Sequence, residues 1–330
     1  MPRIVRFHAL GAPENLRIED APSPVPGPGE VKLRMQAVGL NRAESAYYHG
    51  QYLEEVRLPS KLGYEGAGIV EAVGEGIDRS WIGKKVSTVP GFSMNQYGLL
   101  GEEAVVPVSV LAEYPARLSP VEGTSIWMKY LTAYGALIEV ANVRKGEFVT
   151  ITAASSSVGI ASIQMVKAEG GISIAATRRS NKRDRLLELG ADHVIATEEE
   201  DYVARVREIT GGKGVRVTFD PVAGPFVEKL AEASAIGGII ILYGRLSSEP
   251  TPFPLLTALR GALSVRGYYL GEVLRQPALL EKAKKYTAER IEDGRFVPVI
   301  AKTFPFEQTV QAYQYLESNQ QIGKVVITIP

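Results

Sequence analysis

Thr152-Ala153-Ala154-Ser155-Ser156-Ser157-Val158-Gly159-Ile160 joins an apolar run, Phe148 to Ala153, to a helically spaced one, Val158 to Ala168, through small residues. Small side chains let a diphosphate approach the backbone, and the amides left free at a helix N-terminus bind its oxygens. A pattern of small residue, two, small residue, two, glycine is met by Ala153, Ser156 and Gly159, with Ser157 and Val158 opening the helix. A serine-rich cap in an ordinary βα turn is the alternative reading.

Reading outward, apolar runs and helical segments keep alternating. Strands are predicted at Ile172 to Thr177, His193 to Ala196, Val215 to Asp220, Ile239 to Tyr243 and Ser264 to Tyr268. Helices are predicted at Ser180 to Leu189, Glu198 to Ile209 and Phe226 to Ser234 between them. Short strands separated by helices imply parallel pairing through right-handed crossovers, hence an α/β doubly wound sheet. Upstream the texture differs. A proline-rich loop from Pro22 to Gly29 precedes an alternating run, Glu30 to Val38, and further short strands fit Ala67 to Val73 and Lys84 to Val89. That end reads as a β-rich domain. Downstream, a charged helix from Leu279 to Glu292 and a β-branched strand, Lys324 to Ile329, bring the chain back to it. The expected division is 1–122, 123–265 and 266–330.

The second strand identifies the cofactor class. Sites that prefer NAD carry Asp or Glu at its end to bind the ribose hydroxyls. Here Thr177 runs into Arg178-Arg179-Ser180-Asn181-Lys182-Arg183. Such cations suit a 2′-phosphate, and the helix dipole disfavours them at a helix start unless something else holds them there. NADPH is the expected cofactor, with Arg178, Ser180 and Lys182 on its phosphate; a solvated basic face is the alternative.

Composition narrows the chemistry. Lys plus Arg and Asp plus Glu are both 37, so no overall field gathers nucleic acid or an anionic membrane. The 330 residues contain no cysteine, which excludes disulfides, thiolate catalysis and sulfur-ligated metals. No stretch approaches the roughly 20 apolar residues of a membrane span, and the N-terminus lacks the apolar core of a signal peptide, so a cytoplasmic enzyme is expected.

Five segments in order, Val38-Gly39-Leu40-Asn41-Arg42-Ala43-Glu44, Gly63-Tyr64-Glu65-Gly66-Ala67-Gly68-Ile69-Val70, Tyr130-Leu131-Thr132-Ala133-Tyr134-Gly135-Ala136-Leu137, Asp220-Pro221-Val222-Ala223-Gly224 and Gly323-Lys324-Val325-Val326, carry a resemblance along the whole chain. The chain resembles the medium-chain dehydrogenase/reductase superfamily, in its zinc-independent quinone oxidoreductase and enoyl reductase branch. The resemblance implies a GroES-like β-rich catalytic domain, an inserted Rossmann domain, an active site in the cleft between them, and a homodimer. It departs at Ser156 and Ala223, where glycine is usual, and at Glu44, where aspartate is. In the superfamily's zinc enzymes the metal-binding Cys, His and Cys match Asn41, Tyr64 and approximately Met128 here, none of which replaces a thiolate or imidazole. No metal is expected.

Without a Lewis acid, reduction of a polarised acceptor is the expected chemistry: a quinone, or an enone or enoyl C=C bond, takes hydride at carbon while charge moves to oxygen. Carbonyl reduction or alcohol oxidation without zinc, and a non-catalytic NADPH-binding protein, are the alternatives. The amide of Asn41 suits the nicotinamide ribose or an acceptor oxygen, and Gly50-Gln51-Tyr52 resembles the stretch that supplies an active-site tyrosine in enoyl reductases, which implies Tyr52 as proton or hydrogen-bond donor; a substrate-wall aromatic, with the proton from water, is the alternative. The resemblance places Thr132, Gly244, Tyr268, Tyr269 and Lys324 by the cofactor; Tyr47 and Tyr64 are expected in the substrate wall, Tyr64 in the space of the missing metal, with an amphipathic cover as the alternative for Tyr47.

Overall fold

The computed structural model describes residues 1–330. It divides into two compact units, one built from residues 1–128 and 298–330, the other from 129–297. The sequence-based boundaries return the chain to the first unit at residue 266. The structure keeps 266–297 with the second unit, where the sixth strand pairs in its sheet and Phe296 stacks on Tyr130 at 4.6 Å.

In chain order the strands are β1 (Arg3–Phe7), β2 (Leu16–Asp20), β3 (Glu30–Gly39), β4 (Ser60–Lys61), β5 (Glu65–Val73), β6 (Lys85–Thr88), β7 (Glu103–Pro107), β8 (Leu111–Glu113), β9 (Phe148–Ile151), β10 (Ile172–Thr177), β11 (His193–Ala196), β12 (Val215–Asp220), β13 (Ser234–Leu242), β14 (Ser264–Gly267), β15 (Ile300–Pro305) and β16 (Lys324–Thr328).

The second unit is a six-stranded parallel sheet in the order β11-β10-β9-β12-β13-β14. Counted from its first strand, this is 3-2-1-4-5-6, the doubly wound arrangement whose order reverses beside the first strand. The buried apolar residues of these strands are almost all Ile, Val and Ala, as expected for strands covered on both faces. The helix expected from Glu198 forms only at Tyr202–Ile209, capped by Asp201, whose carboxylate accepts from Val203 and Ala204. Glu198, Glu199 and Glu200 are diverted to partners on Arg179, Ser180 and Ala196.

The first unit holds a small sheet, β2-β1-β4, and a larger one, β15-β16-β3-β5-β6-β8, with β7 also paired to β3. The alternation read in Glu30 to Val38 holds, since Val31, Leu33, Met35 and Ala37 are fully buried. The returning β16 lies between β15 and β3, registering Ile327 opposite Val38. Gly39 ends β3 at a crowded point: a Cβ there would lie 2.4 Å from the Thr124 carbonyl oxygen and 2.7 Å from Lys324 Cε.

Candidate active site

In the second unit the dinucleotide turn forms where the strand order reverses. The Thr152 hydroxyl, just after β9, donates to the Asp220 carboxylate at the end of β12. Asp220 also accepts from the amides of Val222 and Ala223, at 3.2 and 2.7 Å, and burial raises its pKa. Ala153 and Ala223 adopt left-handed backbone, φ +45° and +59°, a conformation normally left to glycine. Ser156 caps the helix Ser157–Ala168, its Oγ accepting from the Gly159 amide at 3.0 Å. A Cβ on Gly159 would sit 2.6 Å from the Ala154 carbonyl oxygen, so helix and turn touch. The amides of Ser155, Ser157 and Val158 donate to nothing within the chain. Free donors at a helix start, above a turn without bulky side chains, fit a diphosphate.

The basic run sorts itself by partner. Arg179 pairs with Glu198, Arg183 with Glu200, and the Ser180 amide donates to Glu199 at 3.1 Å. Lys182 instead reaches the turn, donating to Ser155 Oγ at 2.9 Å, and its pKa is lowered by burial and then by Arg178. Arg178, following the nearly buried Thr177, is exposed and its guanidinium has no partner. Two cations therefore border the turn, of which Arg178 is unneutralised.

The remaining expected cofactor residues are placed unequally. Gly244 follows β13 within 3.0 Å, by its Cβ direction, of the Pro221 carbonyl oxygen. Tyr268 is 5% exposed and turns its hydroxyl, which has no hydrogen bond, against Gly135 in a π-helical segment, Gly135–Val140. Its ring therefore faces the unit's interior. Tyr269 is exposed beneath the Arg275 guanidinium, 5.3 Å from the ring centre, and Thr132 is nearly buried. Sequence reasoning passed over Tyr243. Its ring stacks on Phe219 at 3.9 Å, and its hydroxyl lies buried beside Ser156 without a hydrogen bond of regular geometry. The signal available was position alone, one residue before Gly244.

In the first unit, Asn41, Glu44, Tyr64, Glu65, Tyr313 and Lys324 form one buried network. Lys324 and Glu65, each 1% exposed, make an ion pair, and Lys324 Nζ also donates to Asn41 Oδ1 at 2.6 Å. Asn41 Nδ2 donates to the Gly39 carbonyl at 3.1 Å and to Glu44 at 3.3 Å, so both ends of its amide are engaged. Glu44 accepts from the amides of Tyr64 and Asn41 and, at 2.8 Å, from the Tyr313 hydroxyl. Burial raises the Glu44 pKa, opposed by these donors and by Lys324. Glu65 takes its second donor from the Met128 amide at 2.7 Å. Glu44 and Glu65 belong to the quoted landmarks, but their pairing with Lys324 and Tyr313 was invisible in a linear reading.

Above this network runs a ladder of rings: Tyr47 to Tyr52 at 6.4 Å, Tyr52 to Tyr64 at 6.1 Å, and Tyr64 to Phe92 at 5.7 Å. Tyr47 is fully buried, its hydroxyl held between Ser60 and Asn95. Tyr52 is half-buried and its hydroxyl meets that of Tyr64; burial raises both pKa values, more strongly for Tyr64. No group of three or more His, Cys, Asp or Glu has an arrangement suited to a metal ion.

A reversed parallel sheet with an anion-ready turn, joined to a β-rich unit made from both chain ends, defines a two-unit dinucleotide oxidoreductase. Residues 27–116 match the model of the alcohol dehydrogenase GroES-like domain, and 157–285 that of the zinc-binding dehydrogenase, although the latter span has no cysteine and a single histidine, His193. A quinone oxidoreductase of Pseudomonas aeruginosa is 30% identical over 329 residues, covering 99% of both chains. A 2-haloacrylate reductase of a Burkholderia species is 28% identical over 97% of each. The crystal structure of Escherichia coli quinone oxidoreductase complexed with NADPH superposes with a TM-score of 0.90, at 27% identity and 99% coverage of each chain. The chain belongs to the medium-chain dehydrogenase/reductase superfamily, in its quinone oxidoreductase and enoyl reductase branch.

Proposed function

We propose that this protein is an NADPH-dependent reductase of quinones or of C=C bonds conjugated to a carbonyl, working without zinc. The observation that carries the reading is the pairing of an anion-ready turn with unneutralised Arg178 and its neighbour Lys182, in a chain whose relatives reduce such acceptors. The free amides of Ser155, Ser157 and Val158 bind the diphosphate, and Arg178 and Lys182 bind the 2′-phosphate. When bound, NADPH supplies a hydride. Asn41, whose amide is fixed from both ends, sets the rigid floor of the acceptor side, and Tyr52 holds a proton for the acceptor. Tyr64 backs Tyr52 from the more buried position, their ring centres 6.1 Å apart. Asn41, Tyr64 and Met128 offer no ligand that zinc prefers.

The test is NADPH and NADH consumption with naphthoquinones, enones and enoyl thioesters, with and without a chelator. Turnover with NADPH that survives the chelator is expected. Silence across the panel, or stoichiometric zinc needed for turnover, defeats the reading.

The functional form is a homodimer built on the second unit. Phe253, Leu255, Leu256 and Leu259 are all more than half exposed, on and just before the helix Leu255–Gly261. That helix leads into β14, which is an edge of its sheet. An apolar cluster beside an open strand is self-complementary across a two-fold axis.

A further inference from the structure

A cavity of about 250 Å³ lies in the first unit, lined by β1, β4 and the turn at Gln96–Gly98, and shares no residue with the sites described above. Its charge pattern is unusual. β1 and β4 are antiparallel, and Arg6 and Lys61 are direct cross-strand partners. Like charges in that relation repel and are normally avoided or neutralised.

Here neutralisation is incomplete. Lys61 has no carboxylate partner, and its Nζ makes one long hydrogen bond, 3.5 Å, to the Gln96 carbonyl oxygen. Arg6 makes no side-chain hydrogen bond, and its one ionic contact, to Glu19 at 3.8 Å, is to a carboxylate that also binds His8 at 2.5 Å. The other carboxylates of the wall are committed. Glu30 accepts from the Gly27 amide and the Tyr97 hydroxyl, at 2.9 and 2.7 Å, and Glu103 from Ser23, with Lys32 at 3.6 Å. An ammonium and a guanidinium together carry about eight N–H donors, and one long bond uses them here.

The lysine is also held in place. Gly98 packs so closely that a Cβ on it would fall 2.4 Å from the Lys61 Cβ, which fixes the stem of the side chain at the cavity wall. Lys61 is half-buried, and its pKa is lowered first by burial and then by Arg6, as uncompensated positive charge requires.

We infer that this cavity is a binding site for a small phosphate-class dianion, held between Lys61 and Arg6. A dianion satisfies both cations at once, and guanidinium and ammonium are the side chains best suited to tetrahedral oxyanions. The volume leaves room beyond the anion itself, so a small phosphate ester fits as well as the free ion.

The experiment uses the full chain carrying Arg178→Ala and Lys182→Ala, which removes the cations proposed for the 2′-phosphate, and the Lys61 variants made in that background separate the cavity from the amides of the dinucleotide turn. Inorganic phosphate and glycerol 3-phosphate are titrated at constant ionic strength, against chloride, following Tm and binding heat. A saturable rise in Tm is expected, with affinity falling at least about tenfold in Lys61→Met and retained in Lys61→Arg. Tighter binding of the ester identifies an esterified ligand, and equal or tighter binding of the free ion identifies phosphate itself. In the otherwise native chain, Lys61→Met leaves NADPH turnover unchanged. A response that chloride reproduces, or that Lys61→Met leaves intact, overturns the inference.

Discussion

Lys324 and Glu65 are charged partners withdrawn from water, so each is tolerable only while the other remains. Lys324→Met should destabilise the first unit by about 3–5 kcal/mol through the stranded Glu65 carboxylate, whereas Lys324→Met with Glu65→Gln should recover much of the loss. Chemical denaturation of the two variants checks this. Arg178→Ala, by contrast, touches no folded contact. It should weaken NADPH about tenfold or more while leaving NADH binding nearly unchanged, read by equilibrium fluorescence. Equal weakening of both would remove the 2′-phosphate assignment. Burial raises the Tyr52 pKa above its ordinary value near 10. Its hydroxyl therefore stays protonated through neutral and mildly alkaline pH, and the rate of alkene reduction should begin to fall only above that ordinary value. Tyr52→Phe should cost about 10²-fold or more in kcat if Tyr52 gives the proton; an unchanged rate assigns that proton to water. Arg178 and Lys182 stood out in the sequence because a basic run at a strand end violates the helix-dipole preference and so calls for a reason; their role on the 2′-phosphate remains the proposal the Arg178→Ala test addresses. That both ends of the Asn41 amide are engaged could not be read in the sequence, since its partner Lys324 lies 283 residues away.

At the scale of elements, the dinucleotide turn owes its shape to a cap and a glycine. Ser156→Ala should cost about 0.5–2 kcal/mol in stability, measured by thermal unfolding without cofactor. It should also weaken NADPH and NADH alike, which distinguishes it from Arg178→Ala. All six strands of the second unit could be found in advance, because they appear as short apolar or β-branched runs between helices. Elements whose local signal is weak were lost. β15 carries an exposed Lys302 and Thr303, and the helix Arg42–Tyr48 is short and rich in tyrosine. The predicted start of a helix at Glu198 fell to a competing interest of its acids, which bind Arg179 and the backbone around it. The serine at 156 was the sharpest such case, an apparent defect in a glycine pattern that serves as the helix cap.

For the whole molecule, the alternation of textures along the chain revealed two units, and the β-branched terminal run showed that the chain returns to the first. The point of return was misplaced, because β14 and the helices after it stay with the second unit. Assembly is a property of this scale. Light scattering after size exclusion should give twice the 35.8 kDa chain mass, and Leu256→Glu with Leu259→Glu should shift it toward the monomer; a monomeric wild type would remove the dimer proposal. No helix of the chain is long and apolar enough to cross a membrane.

The seating of β16 beside β3 has a consequence for biosynthesis. Residues 129–297 are synthesised while the sheet of the first unit still lacks β15 and β16, so the second unit can fold before the first is complete. Residues 298–330 then close the first unit, whose two parts are separated in the chain by the whole of the second.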